Sequence, residues 1–133
     1  MNEYLDENFH IKLENNIIKI IWLKEYYDYN TVDLGIKKRI EISGKSAYPL
    51  FSDFRKVKSG SREARERLAG KDAGTNVTAV AVLVSTEVHK VLFSFFNSIY
   101  KAPAPTKIFT STEKALEWLE KYKIAPNDAG QAR

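Results

Sequence analysis

The chain has 133 residues, of which 44% are hydrophobic and 29% charged, with a formal net charge of +4. That size and balance predict one soluble globular domain and exclude a disordered or fibrous chain. Without cysteine there are no disulfides, thiolate nucleophiles or cysteine-ligated metals, and no apolar run approaches the roughly 18–20 residues that cross a bilayer.

The first ten residues, MNEYLDENFH, are acidic and lack the basic and apolar regions of a signal peptide, so a cytoplasmic protein is expected. Charge is unevenly spread. Residues 1–30 carry six acids and three bases, whereas residues 37–71 carry eleven bases and four acids. The basic middle suits an anionic partner group, or is solvated surface. Nucleic-acid binding is a weaker variant of the same reading and is not favoured.

Residues 1–8 read as a frayed end. Phe9–Glu14 and Ile17–Leu23 read as two strands joined by Asn15-Asn16, a pair that tolerates the positive φ of a type I′ hairpin turn. Lys24 to Tyr29 is a polar and aromatic connector. Asn30 is the expected N-cap of a helix over 31–43, with Val32, Ile36 and Ile40 inside and Gly44 as its stop. Gly35 within it costs about 1 kcal/mol relative to alanine. Tyr48–Phe54 is the next strand, with Asp53 and Arg55 at its carboxyl end. A loop over Lys56–Gly60 leads to Ser61, the expected N-cap of a helix over 62–70 that is rich in Arg62, Arg65 and Arg67 but poor in apolar anchors.

Val77 to Val84 has one polar side chain, Thr78, and suits a strand covered on both faces. Val88, Val91, Leu92, Phe95, Phe96 and Ile99 then follow helical spacing and form one stripe. After the stiff Ala102–Pro105 loop comes a strand, Thr106–Phe109. Thr110 and Glu113 suit a capping box for a last helix with Ala115, Leu116, Leu119 and Tyr122 inward. Residues 1–124 are expected to form one domain and 125–133 a mobile tail. The order β-β-α-β-α-β-α-β-α predicts an α/β fold with a single mostly parallel sheet of about five strands and an antiparallel N-terminal edge hairpin. Val80, Val82, Leu83, Leu92, Phe95, Phe96, Ile108, Leu116 and Leu119 are the expected core. If right-handed crossovers gather the helices on one face, the other must be polar, covered, or shared in a homodimer.

His10 and His89 lack companions at metal-ligand spacing, so no metal and no cofactor is expected. Gly70–Thr75 superficially resembles a phosphate loop but follows a helix and precedes a strand, the wrong order for that role. Three hydroxyl clusters, Ser59 with Ser61, Ser85 with Thr86, and Thr110–Thr112, fall between parallel strands and helix starts. Parallel topology puts them at the carboxyl edge of the sheet, where ligands of open α/β sheets bind; their ordinary role is N-capping. Asp53 at the same edge suits a turn or ion pair, or a functional carboxylate. Phe54 and Phe93 are candidates for a contact surface.

The strand ending in Asp53, the Ser-Arg-Glu-Ala-Arg helix start at 61–65, and Ile108-Phe109-Thr110 leading to Ala115-Leu116-Glu117-Trp118-Leu119 carry a resemblance. Over roughly residues 9–122 the chain resembles a group of small uncharacterised bacterial proteins with a STAS-like, SpoIIAA-like fold. The resemblance implies a non-catalytic regulator or protein-interaction module with a protein partner. In anti-sigma-factor antagonists of this fold a serine after a central strand, in an Asp-Ser-(Ser/Gly)-Gly context, is phosphorylated. The corresponding loop here, Arg55 to Ser61, contains Ser59-Gly60-Ser61 but no Asp-Ser pair and is longer. A lipid-carrying branch of the fold has an apolar pocket, so binding of an anionic or lipid-like small molecule is the alternative reading. An enzyme using Asp53 with nearby hydroxyls is the third. The candidate binding or regulatory residues are Asp53, Arg55, Ser59, Ser61, Arg62, Arg65, Ser85, Thr86 and Thr110; no catalytic residue is assigned.

Overall fold

The computed structural model describes residues 1–91 and 104–124. Asn15 and Asn16 adopt φ of 53° and 61°, the left-handed conformation that a two-residue hairpin turn requires. They join β2 (Phe9–Glu14) to β3 (Ile17–Trp22), with Glu14 opposite Ile17. The sheet then runs in parallel through β5 (Tyr48–Asp53), β7 (Val77–Leu83) and β8 (Thr106–Phe109). Pro49 sits where the β5–β7 register shifts, a position that tolerates its missing N–H.

Residues 1–8 are not frayed. Glu3–Leu5 forms β1, antiparallel to β2, and makes the sheet six-stranded in the order β1-β2-β3-β5-β7-β8. The Asp6 carboxylate accepts from the backbone N–H groups of Asn8 at 2.7 Å and Phe9 at 3.0 Å, and Tyr4 packs on Phe9 with ring centroids 5.8 Å apart. An Asx turn therefore returns the chain onto β2. Two further short strands, β4 (Tyr26–Tyr27) and β6 (Ser59–Gly60), pair with each other in a separate parallel ribbon.

Helix α1 (Tyr29–Ser43) begins earlier than expected. Its cap is Asp28, which accepts from the Thr31 N–H at 2.9 Å, so Asn30 lies within the first turn. Gly44 ends it at φ 60°, as its lack of a Cβ favours. Val32, Ile36 and Ile42 bury against β2 and β3. At Gly35 an added Cβ would lie 3.2 Å from Phe9 Cε2 and 3.4 Å from Trp22 Cη2. The residue that weakens the helix is what lets two aromatic rings reach its backbone. Arg39 is buried inside the same helix, and its guanidinium donates to the carbonyls of Thr75 at 2.7 Å and Ala73 at 2.9 Å. It thereby holds the short 3-10 turn at Lys71–Gly74 against the domain.

Helix α2 (Arg62–Leu68) packs beside α1. Helix α3 (Thr112–Glu120) covers the opposite face, where Ala115 and Leu119 meet Phe51, Ala79, Ala81 and Leu83. Helices thus lie on both faces of the sheet. On the remainder of that face, over β2 and β3, His10 stands opposite Ile21, Lys12 opposite Lys19 and Glu14 opposite Ile17. The cap of α3 is Ser111, which accepts from Lys114 N–H at 3.3 Å; the Thr110–Glu113 capping box does not form.

Of the expected core, Val82, Leu83, Ile108 and Leu119 are buried, while Val80 and Leu116 are half-buried. Residues 87–91 are helical. Val88 and Val91, expected inward, are 73% and 66% exposed, while His89 and Lys90 between them are half-buried. The positions expected at Leu92, Phe93, Phe95, Phe96 and Ile99, and the tail at 125–133, lie outside the described residues. No helix among the described residues is long and apolar enough to cross a membrane.

Candidate binding site

The side chains of β5 alternate between the faces. Ser52 points to the α1–α2 face, where its Oγ accepts from Trp22 Nε1 at 2.9 Å. Asp53 pairs in register with Leu83, a residue of the α3-face core. Its carboxylate is buried and engaged by Arg55: the guanidinium reaches it at 2.8, 3.0 and 3.2 Å, and the Arg55 N–H donates at 3.0 Å. This hydrogen bonding raises the Arg55 pKa above its ordinary value. Asp53 is thus an ion-paired turn residue.

Beyond Asp53 the chain folds back over the sheet edge. The Phe54 N–H donates to Leu83 O at 2.9 Å and the Val57 N–H to Phe54 O at 3.0 Å, closing a turn. Lys58 and Ser59 donate from their backbone to Glu25 O at 2.8 and 3.0 Å, and Ser61 to Tyr27 O at 3.0 Å. These bonds fasten loop 54–60 to the connector 24–27 and form the β4–β6 ribbon. Phe54, expected as a surface contact, is buried and stacks on Trp22 with centroids 5.3 Å apart and planes 9° apart. Tyr27 meets the same indole edge-on at 5.0 Å. Its hydroxyl donates to Asn8 O and accepts from Lys24 N–H at 2.9 Å.

Between this loop, α1 and α2 lies a cavity of about 260 Å³. Trp22, Tyr27, Val32, Phe54, Val57 and Leu68 give it apolar walls, and Lys58, Ser59, Arg65 and His89 also line it. The cavity follows from the composition of α2. This helix is seven residues long, and only Ala64 in it is buried, so the methyl facing the aromatic cluster leaves volume that a larger side chain would occupy.

The remaining predicted site residues divide in two. Ser61 is the N-cap of α2, accepting from Ala64 N–H at 3.0 Å. Thr86 caps the turn at 87–91, accepting from His89 N–H at 3.1 Å, while Ser85 Oγ lies 3.5 Å from His89 Nδ1. Thr110 donates to Glu87 at 3.3 Å. Arg62 pairs with Glu66 at 2.9 Å. These groups support the edge and do not line the cavity. Ser59 and Arg65 do line it, and both are exposed. Arg67, expected only as part of the basic run, joins Asp33 of α1 at 2.9 Å and Asp72 at 2.8 Å. Lys37 and Arg67 together hold the Asp33 carboxyl below its ordinary range. Among the described arginines, Arg65 alone has neither a carboxylate nor a backbone acceptor.

Sequence reasoning missed the walls. Trp22, Tyr27 and Val57 are not among the candidates the sequence offers, Leu68 is expected only as an apolar anchor of its helix, and His89 is expected to be ordinary. The available signals were Trp22 at the carboxyl end of its strand, three tyrosines in a six-residue connector (Lys24 to Tyr29), and the poverty of apolar anchors in α2. No group of three or more metal-ligating side chains occurs among the described residues.

A mostly parallel sheet with an antiparallel N-terminal hairpin and helices on both faces defines a SpoIIAA-like fold, as the resemblance in the sequence implied. The structure is similar to that of an uncharacterised protein of the DUF3478 family from Shewanella loihica PV-4, described as having this fold. Identity is 16%, covering 90% of this chain and 98% of that one, with a TM-score of 0.64. Residues 11–123 match the family described as Domain of unknown function (DUF7793), and the chain belongs to that family. A protein of unknown function from Arthrobacter sp. FB24 is 24% identical over 82% of this chain and 96% of that one, with a TM-score of 0.33, too low to bear on the fold. No curated protein matches the chain.

Proposed function

We propose that this protein is a non-catalytic binding module that takes a small molecule into the cavity between loop 54–60, α1 and α2. The cavity is the observation that supports this reading over a purely protein-facing one. Its aromatic walls are built from separate parts of the chain and held in place by hydrogen bonds. Apolar concavities with a few polar groups are where small ligands bind. The non-catalytic reading rests on the engagement of the chemical groups at this edge. Asp53 is held by Arg55, and Ser61 and Thr86 are caps. Native mass spectrometry of freshly purified protein tests the proposal. A non-covalent adduct, or a rise in melting temperature with small amphiphiles, is expected. Bare protein with a melting temperature unmoved by any amphiphile would remove it.

A second reading, regulation through a protein partner, is favoured by one observation. Ser59 is exposed, and its backbone is fastened to Glu25. A phosphate there would add roughly −1.5 to −2 charges to the surface without opening the fold. Ser59→Asp is expected to leave the melting temperature unchanged while altering partner affinity. Equal affinity of Ser59→Asp and wild type for every recovered partner would argue against it.

A further inference from the structure

Resting on the proposal that the cavity is a ligand site, we infer that its ligand is a small amphipathic anion: an apolar body of about ten non-hydrogen atoms carrying one carboxylate-like head. The size comes from the volume. About 260 Å³ gives room for a body of roughly nine or ten heavy atoms at about 30 Å³ each, the liquid share of one water. The apolar body follows from the walls. Trp22 Nε1 is already bonded to Ser52, and the Tyr27 hydroxyl is already bonded at both its donor and its acceptor. The aromatic floor therefore presents ring faces and no polar group in need of a partner, and a polar body would lose its hydration there without replacement.

The anionic head follows from the lining's charge. Arg65, Lys58 and His89 line the cavity, and among the described residues no aspartate or glutamate does. Lys58 is joined to Glu25 at 3.0 Å, and Arg55, Arg62 and Arg67 each hold a carboxylate. Arg65 holds none among the described residues, and it projects from the same helix whose Ala64 leaves the space. A guanidinium recognises a planar carboxylate with two parallel hydrogen bonds. With the head at Arg65, the body of such a ligand enters toward Phe54 and Trp22.

The chain has two tryptophans, and Trp118 lies on the α3 face against Phe109 and Tyr122. In a Trp118→Phe background the emission of Trp22 alone reports the cavity. Octanoate, 1-octanol and octylamine present one apolar body with an anionic, a neutral and a cationic head. Octanoate is expected to bind about tenfold more tightly than 1-octanol, and octylamine more weakly than either. Arg65→Gln is expected to weaken octanoate about tenfold and to leave 1-octanol within about twofold. The head-group series on unsubstituted Arg65 keeps the test independent of that variant's folding. If 1-octanol and octylamine match octanoate, the anionic ligand is refuted while the cavity reading stands. If no amphiphile changes Trp22 emission, the cavity reading falls, and this inference with it.

Discussion

Ala79 and Ala81 face α3, whereas Ile20, Trp22 and Val82 face α1 and α2. On the alanine side the helix approaches closely: Ala79, Ala81, Ala115 and Leu119 are each 0% exposed. On the other side Phe9, Trp22, Tyr27 and Phe54 form a chain of ring contacts at 5.0–5.7 Å. Small residues let a helix approach closely, while rigid rings set the spacing and leave gaps wherever the facing helix is short. The side that supplies most of the bulk is therefore also the side with room for a guest. Gly35 and Ala64 mark the two outcomes. At Gly35 the rings fill the space a side chain would take; beside Ala64 they do not.

Truncating the ring cluster should have the largest effect. Trp22→Ala is expected to cost about 3–5 kcal/mol in denaturant melts; a loss below about 1 kcal/mol would break the view that this side carries the core. Next is Arg39, whose burial lowers its pKa to about 10 and which is compensated by two carbonyls. Arg39→Met is expected to cost about 2–4 kcal/mol, since both carbonyls lose a charge-assisted bond. Equal stability would mean that turn 71–74 is held otherwise.

A pair of matched substitutions sharpens the contrast between faces. Ala81→Leu overfills the tight side and is expected to cost about 1–3 kcal/mol. Ala64→Leu extends toward the open volume, so its cost is expected to stay below about 1 kcal/mol while it abolishes amphiphile binding. Equal costs would remove the asymmetry.

The smallest expected effect is on pH dependence. The Asp28 carboxyl is lowered from its ordinary 3.8 by the Thr31 backbone N–H, and that of Asp33 from 3.8 by Lys37 and then Arg67. A carboxyl lowered on folding stabilises the protein fully above its unfolded pKa and ceases to do so as pH falls through its folded one. Stability should therefore decline below about pH 4. Asp33→Asn is expected to flatten that acid limb in melts across the range; an unchanged slope would show the α1–α2 ion pairs to be inert.

The elements that announce themselves locally were legible in the sequence. Asn15-Asn16 specified the hairpin, Gly44 the end of α1, Ser61 the start of α2, and the apolar run from Val77 a strand buried on both faces. β1 was hidden because its turn depends on one side chain, Asp6, bonding to backbone. The caps of α1 and α3 were misplaced because Asp28 and Ser111 each stand within two positions of another good cap. The site was half legible. Parallel topology pointed to the carboxyl edge and to Ser59 and Arg65. The cavity itself arises from what α2 fails to fill, and a void leaves no residue pattern of its own.

Chemical-shift mapping with octanoate on isotopically labelled protein tests the central claim most directly. The account predicts that the Trp22 indole N–H, the Gly60 amide and the Ala64 and Val57 methyls move together with one saturation curve, while the Ala79, Ala81 and Ala115 methyls stay in place. Movement of the alanine face with a silent Trp22, or no saturable movement at either face, would contradict it.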